Sequence, residues 1–220
     1  MLDFRALRYP VFTLGVVLIM LLAVVFFGGA ILLPLYLQEV RGLNTLQTGL
    51  LVLPGGVLMG VLAPTIGRLY DRHGPALPAV PGAILLTLSL WSFSRITAGT
   101  GVPVLLALHL VMSMGLALTF TPLFTAATSP LPARLYSHGS AIMNTFQQVA
   151  GAAGTALLIT VMTGQTTRAL AEGMALPLAR AEGVRAAFGM ATGMALVLTL
   201  LVVFMRRAAS PEEGQAHAGH

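Results

Sequence analysis

The stretch VFTLGVVLIMLLAVVFFGGAILLPLYLQ, residues 11–38, contains no formal charge, and the uncharged run around it counts 30 residues between Arg8 and Glu39. A bilayer core about 30 Å thick is crossed by about 20 apolar residues rising 1.5 Å each, so this stretch alone is enough for a membrane helix. Five further runs follow. Arg41 to Arg68 encloses 26 uncharged residues, Arg72 to Arg95 encloses 22, Arg95 to Arg134 encloses 38, Arg134 to Arg168 encloses 33 and Arg185 to Arg206 encloses 20. Together the six runs take up 169 of 220 residues. Charged side chains make up 9% of the chain, against roughly 25% in a soluble domain. A soluble protein is excluded.

The runs predict six spans: about Val11 to Leu37, Gln47 to Ile66, Leu77 to Phe93, Val102 to Ala127, Ser140 to Thr163 and Ala186 to Met205. In hydrocarbon each backbone N–H and C=O must be paired internally, and at these lengths that means helices rather than barrel strands of about ten residues. The expected organisation is a short N-terminal segment (1–10), a six-span domain (11–205) and a disordered tail (206–220), whose Ser210–His220 portion is polar and has no periodic apolar face. The fold class is all-α, a polytopic membrane protein. Arg5 and Arg8 before an apolar run could open a signal peptide, but the run is too long for one and continues past Gly28, Gly29 and Ala30.

With no cysteine, the chain has no disulfide, thiol nucleophile, Fe–S cluster or zinc knuckle, and no cofactor or metal is expected. All 12 basic residues are arginines, scattered singly or in pairs, so the excess positive charge reads as membrane orientation and not as nucleic-acid binding. With the N-terminus inside, the inner face holds Arg5, Arg8, Arg68, Arg72, Arg134, Arg206 and Arg207. The short outer loops hold Arg41 and Arg95, while a longer connector, 164–184, and its boundary add Arg168, Arg180 and Arg185. The bias puts both termini in the cytoplasm of a cell-membrane protein. Tyr9, Tyr36, Tyr70, Trp91 and Tyr136 fall near span ends, as an aromatic belt would place them; Tyr36 is also the best-placed ring for stacking on a ligand.

An internal repeat runs through the spans. Leu33-Pro34-Leu35-Tyr36 near the end of span one matches Thr121-Pro122-Leu123-Phe124 near the end of span four. Gly49 opening span two matches Gly139 opening span five, at offsets of 88 and 90 residues. Spans one to three and four to six then form two inverted three-helix repeats, a known transporter construction.

Between spans two and three lies Gly67-Arg68-Leu69-Tyr70-Asp71-Arg72-His73-Gly74. Gly67 and Gly74 suit a tight reversal. Asp71 can cap the next helix or pair with Arg68 or Arg72, and such a cluster either latches one conformation of a moving domain or simply orients the chain. G-x-x-x-D-R-x-G at this place resembles the loop signature of the major facilitator superfamily, with Pro75 and Ala76 where further basic residues are expected. That degradation points to the C-terminal half of such a protein. Residues 30–38 with Thr48 to Gly56, and the run His138 to Gly151, are similar to the C-terminal half of fourteen-span drug:proton antiporters of the EmrB/QacA type, in particular the lincomycin-resistance members, and the likeness extends over residues 2–205. The resemblance implies a proton-coupled multidrug exporter acting on amphipathic or cationic small molecules, with its embedded carboxylates mainly in an N-terminal half that this chain does not contain.

No span holds Asp or Glu away from its ends, and His109 is the one titratable side chain deep inside a span. It reads either as a proton relay or substrate contact, or as a neutral ring bonded to a backbone carbonyl. On span five Ser140, Asn144, Gln147, Gln148 and Gly151 recur at helical spacing, a stripe that lines a polar cavity or glues helices together. With Tyr36, Gln38 and His109, the amides Asn144, Gln147 and Gln148 are the candidates for a substrate cavity or interface. Gly56 and Gly60 on span two and Gly151 and Gly154 on span five permit close helix packing. In the resembled fold these two helices meet the opposite half. Met20, Met59, Met112, Met114, Met143, Met190 and Met194 suit an adaptable cavity or core filling.

Three functions compete. The chain is one half of a secondary exporter, completed by a missing N-terminal half, or a small carrier or channel completed by a second copy, or an intramembrane enzyme. A serine protease would need a buried Ser and a His on facing helices; span six has no His, and His138 beside Ser140 lies at a span boundary. The enzyme is rejected. An ATP-driven permease subunit would need a docking loop, and the connector 128–139 shows no such motif.

Overall fold

Each of the six uncharged runs forms a helix. In a computed structural model describing residues 3–97 and 99–209 (side chains of Phe4 and of 205–209 excepted), a short 3-10 turn at Phe4–Arg8 leads into six helices. They are α1 (Pro10–Glu39), α2 (Thr45–His73), α3 (Ala76–Phe93), α4 (Val102–Thr128), α5 (Ala133–Ala171) and α6 (Leu176–Ala209). All six are long and apolar enough to cross a membrane, and no strand occurs among the described residues.

Local signals set the ends. Pro10 opens α1 at a position where its missing N–H costs nothing. Asn44 and Gln47 form a reciprocal capping box at the start of α2, with Gln47 N donating to Asn44 Oδ1 at 2.8 Å and Asn44 N donating to Gln47 Oε1 at 3.0 Å. Gly74 stops α2 with φ +74°, a left-handed conformation that glycine adopts without strain.

Several boundaries need correction. The region read as a loop from 68 to 75 is mostly the last turn of α2, and only Gly74 and Pro75 connect the helices. The connector expected over 164–184 shrinks to 172–175, because α5 continues to Ala171 and α6 begins at Leu176. α5 likewise starts at Ala133, inside the expected 128–139 connector. Charge-free runs mark hydrocarbon, whereas a helix continues into water as long as its backbone is paired. The Arg168–Glu172 pair (3.1 Å, one helical turn apart) and the Arg185–Glu182 pair (2.7 Å) lie on these extensions. Residues 210–220, expected to be disordered, lie outside the described residues.

The packing repeats. α3 packs on α4 as α6 packs on α1, α1 packs on α5 as α4 packs on α2, and α1·α4 and α3·α6 each contact across the middle. An odd number of spans per unit turns the second unit upside down relative to the first. The correspondence fails at one pair: α5 and α6 pack extensively, whereas α2 only brushes α3. At the α5–α6 crossing, Gly183 lies so close to the Met162 carbonyl and the Thr166 hydroxyl that no Cβ would fit. α1 is the most enclosed helix, with 56% of its most apolar stretch buried, against 17% for α2 and 22% for α5.

A second close crossing joins α3 to α4. A Cβ on Gly115 would lie 2.7 Å from Leu86 N and 2.9 Å from Gly82 O, both backbone atoms that cannot swing aside. α3 and α6 are pinned through Thr199 Oγ1, which donates to Ala83 O (3.1 Å) and lies 2.9 Å from Thr87 Oγ1, and through the stacked rings of Phe93 and Phe188 (4.9 Å). Gly115→Ala should therefore destabilise the bundle by about 1–3 kcal/mol, the usual cost of overpacking. Gly60→Ala, where nothing lies within 4 Å of the added carbon, should cost nothing. Thermal unfolding of both variants in detergent checks the difference.

Candidate functional site

α2, α4, α1 and α5 follow one another by contact, and α2 and α5 do not touch among the described residues, so these two helices form opposite flanks of one side of the bundle. Their exposed faces differ in chemistry. α2 presents an apolar stripe, Leu46, Leu50, Leu53, Val57 and Val61, each more than half exposed. α5 presents Asn144 and Gln148, exposed one turn apart, with Gln147 and Ser140 half-buried beside them. No side-chain hydrogen bond forms at Asn144, Gln147 or Gln148 within the described chain. Thr121 and Thr125 on α4 are also exposed, and neither hydroxyl is bonded. The polar stripe of span five is thus a surface of this chain and not a seam inside it.

The glycines divide the same way. Gly151 and Gly154 are buried against α1, where a Cβ would strike Phe27 and Val24 respectively. Gly56 and Gly60 face open space. The close approach on α2 is at Gly55 instead, which seats α2 directly on His109 and Ser113 of α4. Sequence patterning missed Gly55 because three glycine positions in six residues look equivalent until a neighbour chooses among them.

His109 is buried, and its Nε2 lies 3.1 Å from the Val52 carbonyl of α2. This is the backbone bond of the packing reading. Nδ1 is buried without a partner. Tyr36 is fully buried, with its hydroxyl donating to Thr97 O at 2.6 Å across to the α3–α4 connector. That position fits neither the aromatic belt nor a ligand-stacking role: the ring fills the core and the hydroxyl ties down a connector. Gln38, two residues on, is exposed. Trp91 and Tyr136 are each about half exposed, and the Arg95 guanidinium lies 5.3 Å from the centre of the Trp91 ring. Met112 and Met143 are core residues, and Met20, Met59, Met190 and Met194 pack against that core.

Arg68, Asp71 and Arg72 are exposed on the last turn of α2, and Gly67 has open space around it. The expected links of Asp71 do not form. α3 has no side-chain cap, and Arg68 Nε donates to Pro64 O (3.3 Å). Asp71 takes no part in the four ion pairs among the described residues. The acid is free to meet a group from outside the chain.

At the opposite end of the bundle sits an ion pair that sequence spacing could not reveal. Arg180 Nε lies 3.5 Å from Glu39 Oε2, joining α6 to the end of α1 beside a cavity of about 250 Å³ that also takes in Thr163, Thr166 and Thr167. Next to it, Arg185 donates to Glu182 and, through Nε, to Ser94 O at 3.2 Å, fastening α6 to the end of α3.

Residues 2–155 match the family described as Major Facilitator Superfamily. The chain belongs to that superfamily. It is 38% identical over 213 residues to a lincomycin resistance protein of Listeria monocytogenes, covering 94% of this chain and 45% of that one. A lincomycin resistance protein of Bacillus subtilis is 37% identical over 213 residues, with 94% and 44% covered. A tetracenomycin C resistance and export protein of Streptomyces glaucescens is 32% identical over 151 residues, with 69% and 26% covered. The chain spans less than half the length of these curated relatives. As a member of this superfamily with six helices long and apolar enough to cross a membrane, it is a multi-pass membrane protein.

The Gly55–His109 junction yields a direct test of how α2 is held. Gly55→Ala should push the imidazole off the Val52 carbonyl and lower stability. His109→Ala, which removes the obstructing ring, should recover part of that loss in the double variant. A coupling of about 0.5–3 kcal/mol is expected for residues in contact. Additive melting shifts in detergent would count against the contact.

Proposed function

We propose that this chain is the C-terminal half of a proton-coupled multidrug exporter of the cell membrane, with both termini cytoplasmic and an N-terminal half as its partner. The observation that carries this reading is the open side of the bundle. α2 and α5 leave an apolar stripe and a row of unbonded amides uncovered, and polar groups at membrane depth are costly unless a partner or a water-filled cavity receives them. The relatives support it further. They are more than twice as long as the chain and are named for resistance to, or export of, antibiotics.

On this reading the exposed Thr121, Thr125, Asn144 and Gln148 border the substrate path, while α2 and the rest of α5 meet the other half. Alternating access then consists of the two halves rocking about a midplane site. Asp71 at the end of α2 latches one of the two arrangements by pairing across the interface. The coupling proton is assigned to the other half, because no span of this chain holds Asp or Glu away from its ends. Transport rather than catalysis is the role of the chain.

Purified alone and reconstituted with an imposed proton gradient, the chain should move no fluorescent cationic dye. A chimera in which it replaces the matched region of the Bacillus subtilis relative should export the dye. In that chimera Asp71→Asn should cut export several-fold at unchanged membrane level; unaltered export would reduce the motif to an orientation signal. Gradient-driven transport by the chain alone would sink the half-transporter reading in favour of a homodimeric carrier.

Orientation is checked separately. The chain has no cysteine, so single cysteines report cleanly. Thr97→Cys and Met174→Cys should react with an impermeant reagent in intact cells, and His73→Cys should not. The reverse pattern would overturn the topology.

A further inference from the structure

The N-terminal end of the bundle holds a pocket that the transport reading leaves unused. It is a cavity of about 470 Å³ between the 3-10 turn with its flanking Asp3 and Tyr9 and the first turns of α5. Its polar walls are Arg5, Arg8, Tyr9, Arg134 and His138, with Asp3 the one acid among them. Asp3 is committed already: its Oδ1 accepts from Arg5 N at 2.9 Å and lies 4.0 Å from Arg5 Nε. Three guanidiniums therefore face one partly engaged carboxylate, and Arg8 and Arg134 have no acidic partner among the described residues.

The pocket is built rather than incidental. Ala6 is fully buried, so the 3-10 turn is pressed onto the bundle, and Thr13 Oγ1 donates to Leu7 O at 2.8 Å, tying the turn to α1. Next to His138, Gly139 of α5 meets Phe12 of α1 so closely that a Cβ would lie 3.3 Å from the ring, which fixes the two helices that carry the pocket. α5 opens at Pro132 with no side-chain cap, which adds the positive end of a long helix to the arginines.

We propose that this pocket binds the phosphodiester headgroup of an anionic phospholipid. The shared chemistry with free phosphate is a multiply accepting anion held by guanidiniums. What favours a lipid is the depth of the pocket. Arg8 and Arg134, which line it, stand directly before the uncharged runs 9–38 and 135–167, so the pocket lies where α1 and α5 enter the membrane. A headgroup seated among the arginines would leave its acyl chains running along those spans. Basic pockets between transmembrane helices at the membrane surface are suited to this use.

The test is lipid retention by the full chain. Delipidated protein is offered phosphatidylglycerol, phosphatidylcholine or inorganic phosphate, and bound species are read by native mass spectrometry. Phosphatidylglycerol should be retained over phosphatidylcholine. Each basic residue near a membrane surface contributes roughly fivefold, so Arg8→Gln with Arg134→Gln should weaken retention about thirtyfold. Arg68→Gln with Arg72→Gln removes the same charge from another corner of the same end and should leave retention unchanged. Equal weakening by both pairs would overturn the proposal in favour of diffuse charge attraction. Displacement by phosphate without preference between the two lipids would make it a free-anion site. Melting curves and size-exclusion profiles of the variants confirm that the fold survives.

Discussion

Hydrocarbon offers no partner to a backbone N–H or C=O, and an unpaired one costs several kcal/mol there. A chain with 169 of its 220 residues in uncharged runs must therefore close its hydrogen bonds within each span. The same demand reaches the side chains. Threonine meets it locally: Thr119 bonds the Gly115 carbonyl at 2.7 Å, Thr192 the Phe188 carbonyl at 2.7 Å and Thr166 the Met162 carbonyl at 2.8 Å, each one turn back in its own helix. A hydroxyl satisfied this way is indifferent to what lies outside the helix. Asn144 and Gln148 have found no such bond and need a neighbour or water. Of the polar residues in these spans, the amides and the unbonded hydroxyls of Thr121 and Thr125 carry information about partners.

Close packing is the second consequence, because lipid tails are as apolar as leucine and helices are held together by contact rather than by exclusion of water. Backbone approach at Gly82–Gly115 fixes α3 on α4, and Gly15 seats α1 on Ala127 of α4. α2 is held differently. Its principal seat is Gly55 on His109 and Ser113, with slight contact to α1 and α3. A helix anchored along one line and exposed elsewhere is suited to meet a second body, and the motif bearing Asp71 is its last turn.

The six spans were legible because charge is so strongly excluded from hydrocarbon, and the first four helices begin and end within a few residues of their uncharged runs, the last turn of α2 excepted. That criterion cannot see a helix leaving the membrane. α5 and α6 extend over Arg168, Arg180, Glu182 and Arg185, residues that read as a loop or its boundary because they are charged. At the site, residue type was legible and direction was not. Adjacent positions on a helix point about 100° apart, so Gly55 packs while Gly56 faces open space. Tyr36 looked like a belt residue from its place in sequence; only the α3–α4 connector lying over it shows why it is buried.

The two ends of the bundle use their charges in opposite ways. At the end holding the α5–α6 connector, Arg168, Arg180 and Arg185 each have a glutamate; the Arg180–Glu39 pair fastens α6 to α1, and Arg185, paired with Glu182 on its own helix, fastens α6 to the end of α3 through its bond to Ser94 O. Each pair is more than a third exposed and contributes at most about 1 kcal/mol, and only the Arg180–Glu39 pair and the Arg185–Ser94 bond run between helices. At the N-terminal end, Arg8, Arg72 and Arg134 have no acid partner and Asp71 no basic one among the described residues. Charges already paired within the chain give a partner little to gain. Charges left unpaired on a fixed scaffold lower the cost of binding something outside it, because the geometry is already in place. On the readings proposed above, the end with Arg8, Arg72, Arg134 and Asp71 is therefore the one equipped to recognise lipid or a second domain, while the charges of the other end are already committed within the chain.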